Sequence, residues 1–395
     1  MNQLIKIPAP SVSAATTKIY FPGLNALRFF AAFLVVMHHA ESVRLKRGMP
    51  HLEELSLFKN GGLAVLFFFA LSGFLITYLL LAEIQKTKTV SVRNFYVRRV
   101  LRIWPVYYLL VIFGLFVLPV VLKLVHYQYD ATYDLPTATI LYLIFQSFTV
   151  TAMYGASFLQ PLWSIGVEEY FYLIWAPLVK LFRKNVMLLL LLVIAVKLAL
   201  SLWFLWSKND SETFKLMGTI NGMLSFEAMA IGGIGAWFVF FYRQNVINSF
   251  LFGKTSQIVL TILILSRLFI HESLKHYLPF YNDLYNTPIL PTYLESVLFL
   301  WLIINISCNP KRLYSLDGKL FNFLGDISYG IYMYQMVILF AVILALKGLV
   351  SFCGLFLGSV IYYTVIIIAL ISLSTISKEF FEDYFLRLKK RFEKV

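Results

Sequence analysis

Apolar runs of about 20 residues recur along the whole chain, near 22–40, 62–82, 103–124, 164–181, 186–206, 220–242, 256–271, 291–307, 323–346 and 352–375. Each is long enough, as a helix, to cross roughly 30 Å of hydrocarbon. Backbone within lipid must satisfy its own hydrogen bonds, so runs of this kind fold as helices. The expectation is an all-α integral membrane protein, a single bundle of about ten transmembrane helices. Composition agrees: 60% of the 395 residues are hydrophobic and the mean hydropathy is +0.77, far from a soluble globule.

An eleventh apolar segment, "TATILYLIFQSFTVTAM" (137–153), is shorter and carries Thr, Ser and Gln. Charge decides how it is read. The most basic loop, "KTKTVSVRNFYVRRVLR" (86–102), belongs on the cytoplasmic side by the positive-inside rule. If 137–153 enters and returns as a re-entrant segment, "KLFRK" (180–184), "NPKR" (309–312) and "RLKKRFEK" (387–394) share that side with both termini. The basic residues at 44–47 then fall outside, a mild exception. The domain reading is a cytoplasmic tail over 1–20, one membrane domain over 21–376 and a basic cytoplasmic tail over 377–395. No cleavable signal is visible in residues 1–20.

The net charge of +14 suggests nucleic acid only in a soluble chain. Here the Lys and Arg residues flank the spans, so the expected environment is a lipid bilayer and no nucleic acid. Cys308 and Cys353 form neither a disulfide framework nor a metal spacing. No metal-ligand pattern, phosphate-binding loop, dinucleotide fingerprint or serine-nucleophile elbow occurs. His271 and His276 read as surface residues.

The first span, "LRFFAAFLVVMHHA" (27–40), starts with Arg28 and ends with His38 and His39. Eleven residues separate Arg28 from His39, which returns the helix to within about 20° of the same face, about 16 Å along the axis. Snorkelling to the interface would explain Arg28, and a bond to a neighbouring helix would explain His39. The alignment of the two favours function, because a buried imidazole can act as a general base.

Three further stretches carry polar groups. "FYVRRVLRIWPVYY" (95–108) sets Arg98, Arg99 and Arg102 at the start of the third span. This suits a phosphorylated ligand, although an ordinary basic collar would look the same. "QPLWSIGVEEYFYLIWAPL" (160–178) brings Glu168 and Glu169 into a span, with Glu168 and Tyr172 on one face and one carboxylate expected inside. "GGLAVLFFFALSGFLI" (61–76) has the small residues of close helix packing. Glu227, Arg267, Glu295 and Asp326 add charges in or near spans.

Together these ordered stretches resemble the acyltransferase 3 family of multispan membrane enzymes, many of which O-acetylate cell-surface carbohydrates. "LNALRFFAAFLVVMHHA" is similar to the family's first-span Arg and His separated by ten residues. "LWSIGVEEYFYLIW" is similar to its Trp-Ser-x-x-x-Glu-x-x-Phe-Tyr block, and "FLGDISYGIYMYQ" to its late Gly-x-x-Ser-Tyr block. The matches run in family order from about 21 to 375.

The resemblance implies an O-acyltransferase using acetyl-CoA as co-substrate, with no tightly bound cofactor and no metal. The expected acceptor is a hydroxyl of a cell-surface saccharide or glycolipid, and the expected location is a bacterial cytoplasmic membrane. It implies His39 as the catalytic histidine, Arg28 as its motif partner, Glu168 as the acid of its block, and Arg98, Arg99 and Arg102 at the CoA phosphates. Where family members often have His, this chain has Gln335. Some members carry a further extracytoplasmic hydrolase-like domain, which is not visible in this sequence. A transporter is the rival expectation, because carriers also hold intramembrane charges; no internal symmetry supports it.

Overall fold

The computed structural model describes residues 19–124, 133–155 and 158–392. Residues 1–18 of the expected N-terminal tail and 393–395 of the C-terminal one lie outside the described residues, as do 125–132 and 156–157. Among the described residues every regular element is a helix. α1 (Leu24–Lys46) leads to α2 (Gly61–Thr87). α3 (Val92–Ile112) runs through a π-helical turn at Phe113–Val117 into α4 (Leu118–Leu124). Then follow α5 (Leu135–Leu143), α6 (Ser147–Tyr154), α7 (Leu162–Leu181), α8 (Val186–Trp206), α9 (Glu212–Met223) and α10 (Phe226–Asn248). α11 (Lys254–Phe269), α12 (His271–Tyr277) and α13 (Pro279–Asn286) precede α14 (Leu290–Cys308) and α15 (Lys319–Asp326). α16 (Ser328–Phe352), α17 (Gly354–Ser377) and, after a π-helical turn, α18 (Asp383–Lys389) complete the chain.

Eight stretches are long and apolar enough to cross a membrane: α1, α2, α3–α4, α8, α9–α10, α14, α16 and α17–α18. A ninth is added if α11 and α12, bent by 85°, count as one. The tenth expected span, α7, carries Glu168, Glu169 and Lys180 and is too polar to qualify by composition. The segment 137–153 holds two short helices, α5 and α6, and not one long one. The helix breaks at Phe145, whose φ of 61° lies in the left-handed region that a bulky side chain avoids. α5 itself starts in a regular way, with the Asp134 carboxylate accepting from Thr137 N–H at 3.0 Å and Pro136 in the first turn.

α2 is the centre of the bundle: 72% of its apolar window is buried, against 17% for the lipid-facing α8. It packs on α1, α7, α10 and α14. The contact with α10 is backbone to backbone. A methyl group at Gly73 would run into the Met229 carbonyl, and one at Gly232 into the Ala70 carbonyl. Lipid offers no hydrophobic drive between helices, so such close packing supplies much of the association energy.

Buried ion pairs account for several charges. Arg267 meets Glu295 at 2.6 Å and also donates to Asn60 Oδ1 at 3.1 Å. Arg44, counted by the sequence among loop charges, is fully buried instead. It pairs with Glu41 at 2.8 Å and bonds Ser359 at 3.0 Å, so its charge is met inside the bundle. His271 is also buried, its Nδ1 2.9 Å from the Tyr281 hydroxyl, contrary to its reading as a surface residue.

Candidate functional site

A cavity of about 650 Å³ lies among α1, α2, α3, α7 and α16. Its wall includes Arg28 from α1, Arg98, Arg99 and Arg102 from α3, and Glu168 from α7. Five of the six residues singled out in the sequence therefore face one space. Arg98 and Arg102 share a helix face one turn apart, and Arg99 stands beside them. Arg28 lies within electrostatic range of Arg99, Arg102 and Glu168.

The arginines are not equivalent. Arg98 pairs with Glu83 at 3.3 Å and donates to the Phe392 carbonyl at 2.8 Å. Glu83 also accepts from Ser91 N–H at 2.8 Å, so this carboxylate ties the α2–α3 turn together. Arg99 lies over the rings of Tyr172 and Phe95, at 5.3 and 5.6 Å from their centroids. Among the described residues Arg28, Arg99 and Arg102 form no ion pair with a carboxylate. Within a membrane domain, three guanidiniums around one cavity with no carboxylate at ion-pair distance have the chemistry to meet a polyanion.

Both carboxylates of α7 are engaged by protein, where the sequence expectation placed only one inside. Glu168 accepts from Ser72 at 2.7 Å and from Tyr172 at 2.9 Å, joining α7 to α2. Glu169 accepts from the Trp104 indole N–H at 3.1 Å, joining α7 to α3. Their side chains diverge because neighbouring helical positions lie about 100° apart, and a helix exists on each side.

One rim of the cavity carries Tyr20, Asn322, Asp326 and Lys389. Tyr20 donates to Asp317 at 2.5 Å, and this bond holds the Asp317 carboxyl below its ordinary range. The rim thus joins the start of α1, the end of α15 and the C-terminal α18 on the side that carries the basic loop.

His39 is buried, but it is not among the residues lining the cavity. It lies where α1 packs on α16, with Nδ1 2.9 Å from Gln335 Oε1. Gln335 is fully buried and donates from Nε2 to the Tyr332 carbonyl at 2.8 Å. Tyr332 in turn lines the cavity, and its hydroxyl is 2.7 Å from Ser164 Oγ. Tyr332 and Gln335 therefore connect the cavity wall to the imidazole through hydrogen bonds. His38 turns to the Phe58 carbonyl, 2.8 Å away. Ser164 belongs to the Trp-Ser block of the sequence, but its pairing with Tyr332 spans 168 residues and has no local signature.

An acyltransferase-domain family model matches residues 21–378. Among curated proteins, the chain is 32% identical over 192 residues to the peptidoglycan O-acetyltransferase OatA of Listeria monocytogenes, covering 47% of this chain and 28% of that protein. It is 35% identical over 161 residues to the putative peptidoglycan O-acetyltransferase YrhL of Bacillus subtilis, covering 40% and 23%. It is 28% identical over 201 residues to the O-acetyltransferase OatA of Staphylococcus aureus, covering 49% and 31%. The matched regions thus span less than a third of each relative's length. No solved structure matches the chain. With the family pattern running through nearly all of its membrane helices, this multi-pass membrane protein belongs to the acyltransferase 3 family.

Proposed function

We propose that the chain is an integral-membrane O-acetyltransferase that moves an acetyl group from acetyl-CoA to a hydroxyl of a cell-envelope saccharide or saccharide-lipid. The observation that carries this is the cavity with Arg28, Arg99 and Arg102 around it, none of them paired with a carboxylate among the described residues. A CoA thioester has several phosphate charges at one end and a long, thin, neutral arm at the other. Three such guanidiniums suit the first, and the apolar walls at Phe68, Leu75 and Ile76 suit the second. The volume falls within the range of roughly 300–1,000 Å³ common for small-molecule sites. The saccharide acceptor is supported by the relatives, two of which are named for O-acetylation of peptidoglycan.

In this reading the basic rim faces the cytoplasm with both termini, and the donor enters there. The thioester passes Tyr332 to reach His39. The imidazole takes the proton of the acceptor hydroxyl as its oxygen attacks the thioester carbonyl carbon. The C–S bond breaks, the new ester C–O bond remains, and the departing thiolate recovers the proton from the imidazolium as CoA-SH. Arg28 orients the donor, and Glu168 holds α7 against α2 beside it. The test is acetyl-CoA binding to the purified protein, followed by ester formation on envelope saccharide in membranes. Saturable binding weakened by Arg99→Ala/Arg102→Ala is the expected result. Folded protein that binds no acyl-CoA would overturn it and favour a carrier.

A further inference from the structure

The geometry points to Gln335 as the positioning residue that fixes the tautomer of His39, leaving the lone pair on Nε2 as the basic atom. The inference rests on His39 being the base of the proposed reaction. A neutral imidazole has one donor and one acceptor nitrogen, and its partners decide which is which. Here the partner is an amide whose own orientation is fixed. The Tyr332 carbonyl can only accept, so the nitrogen 2.8 Å from it is the Gln335 NH₂ group. The other end of the amide, 2.9 Å from His39 Nδ1, is then the carbonyl oxygen. That oxygen can only accept, so Nδ1 carries the proton and Nε2 does not.

Burial makes this arrangement decisive. Gln335 is 0% exposed and His39 8%, so water offers little competition for the Nδ1 proton. The two residues stand 296 positions apart, and the bond ties the first span to α16 at the level of the imidazole. The chain of contacts continues downward. Tyr332, which aligns the amide, also forms the cavity wall and bonds Ser164 Oγ at 2.7 Å. The same residue thus borders the donor cavity and sets the orientation of the base above it. A glutamine does this without a charge, so the imidazole is oriented without a carboxylate in lipid.

The experiment compares wild type, Gln335→Met, Gln335→Glu and His39→Ala. Met has nearly the shape of Gln and no acceptor; Glu keeps the acceptor. Nitrogen-15 spectra of histidine-labelled protein in detergent, with the His39 signals identified by their loss in His39→Ala, report the tautomer directly. Wild type should show a protonated Nδ1 and a free Nε2, Gln335→Glu a protonated Nδ1, and Gln335→Met a mixture of tautomers. Acetyl transfer from acetyl-CoA to the envelope saccharide of membrane vesicles should fall about 10- to 100-fold in kcat for Gln335→Met, the scale seen when a metal-ligating histidine loses its orienting partner. Acetyl-CoA affinity should stay unchanged, and Gln335→Glu should turn over well above the Met variant. A wild-type proton on Nε2, or full turnover of Gln335→Met, overturns the inference, as does loss of acetyl-CoA binding in that variant. Retained transfer by His39→Ala removes instead the reading of His39 as base and leaves the spectroscopic result standing.

Discussion

Arg98 is held by Glu83 in an ion pair of 3.3 Å, with side-chain exposures of 16% and 2%. Its neighbours Arg99 and Arg102 have no carboxylate partner among the described residues. The three guanidiniums of one basic stretch therefore divide into a structural one and two that a ligand can occupy. Arg98→Ala leaves Glu83 buried and half-paired, so we expect a lowered thermal midpoint in detergent, equivalent to about 3–5 kcal/mol if the pair behaves as a fully buried one. Arg99→Ala and Arg102→Ala should leave the midpoint in place and weaken acetyl-CoA binding. Equal behaviour of all three variants in both assays would contradict this division.

His39→Ala removes the base of the proposed reaction but only one hydrogen bond of the fold. Acetyl transfer to saccharide should be lost, while expression, monodispersity and acetyl-CoA affinity are kept. The affinity is expected to survive because His39 is not part of the cavity wall. Isothermal titration with acetyl-CoA beside an ester assay separates the two properties, and full turnover would take His39 out of the mechanism.

Glu168 is the shared acceptor of Ser72 and Tyr172. In Glu168→Ala both hydroxyls lose their partner within the bundle. Each unsatisfied group costs about 1–3 kcal/mol, so thermal stability should drop clearly. Glu168→Gln retains one acceptor oxygen and should recover part of the loss. If the Ala and Gln variants unfold at the wild-type temperature, Glu168 does not join α7 to α2 in solution.

Glycine substitutions should separate contact from exposure along α2. Gly73→Val meets the Met229 backbone, which cannot rotate away, so we expect misfolding or very low yield. A methyl group at Gly62 would meet nothing within 4 Å, so Gly62→Ala should be neutral. Yields from size-exclusion chromatography in detergent make the comparison.

Removal of one partner should be costly at the Arg267–Glu295 pair as well. Arg267→Ala strands the Glu295 carboxylate and takes a donor from Asn60, an expected loss of about 3–5 kcal/mol. The double variant Arg267→Leu/Glu295→Leu should be milder, because neither charge is then left alone. The order of the two melting temperatures is the readout.

The sequence by itself determined the class of structure, because runs of about 20 apolar residues leave the backbone no solution in lipid but helices. It also determined that Arg98 and Arg102 share a face, as do Glu168 and Tyr172, since a helix repeats every 3.6 residues or so. These are properties of one helix at a time. It did not determine that both carboxylates of α7 would find partners, Glu168 on α2 and Glu169 on α3. Nor did it reveal that Arg44 is buried with Glu41, that Glu83 holds Arg98, or that Gln335 meets His39. Whether a charge faces lipid, a cavity or a counter-charge depends on the helix beside it, and that helix is often hundreds of residues away. Local periodicity gives the direction in which a side chain points, and only the packed bundle decides what it finds there.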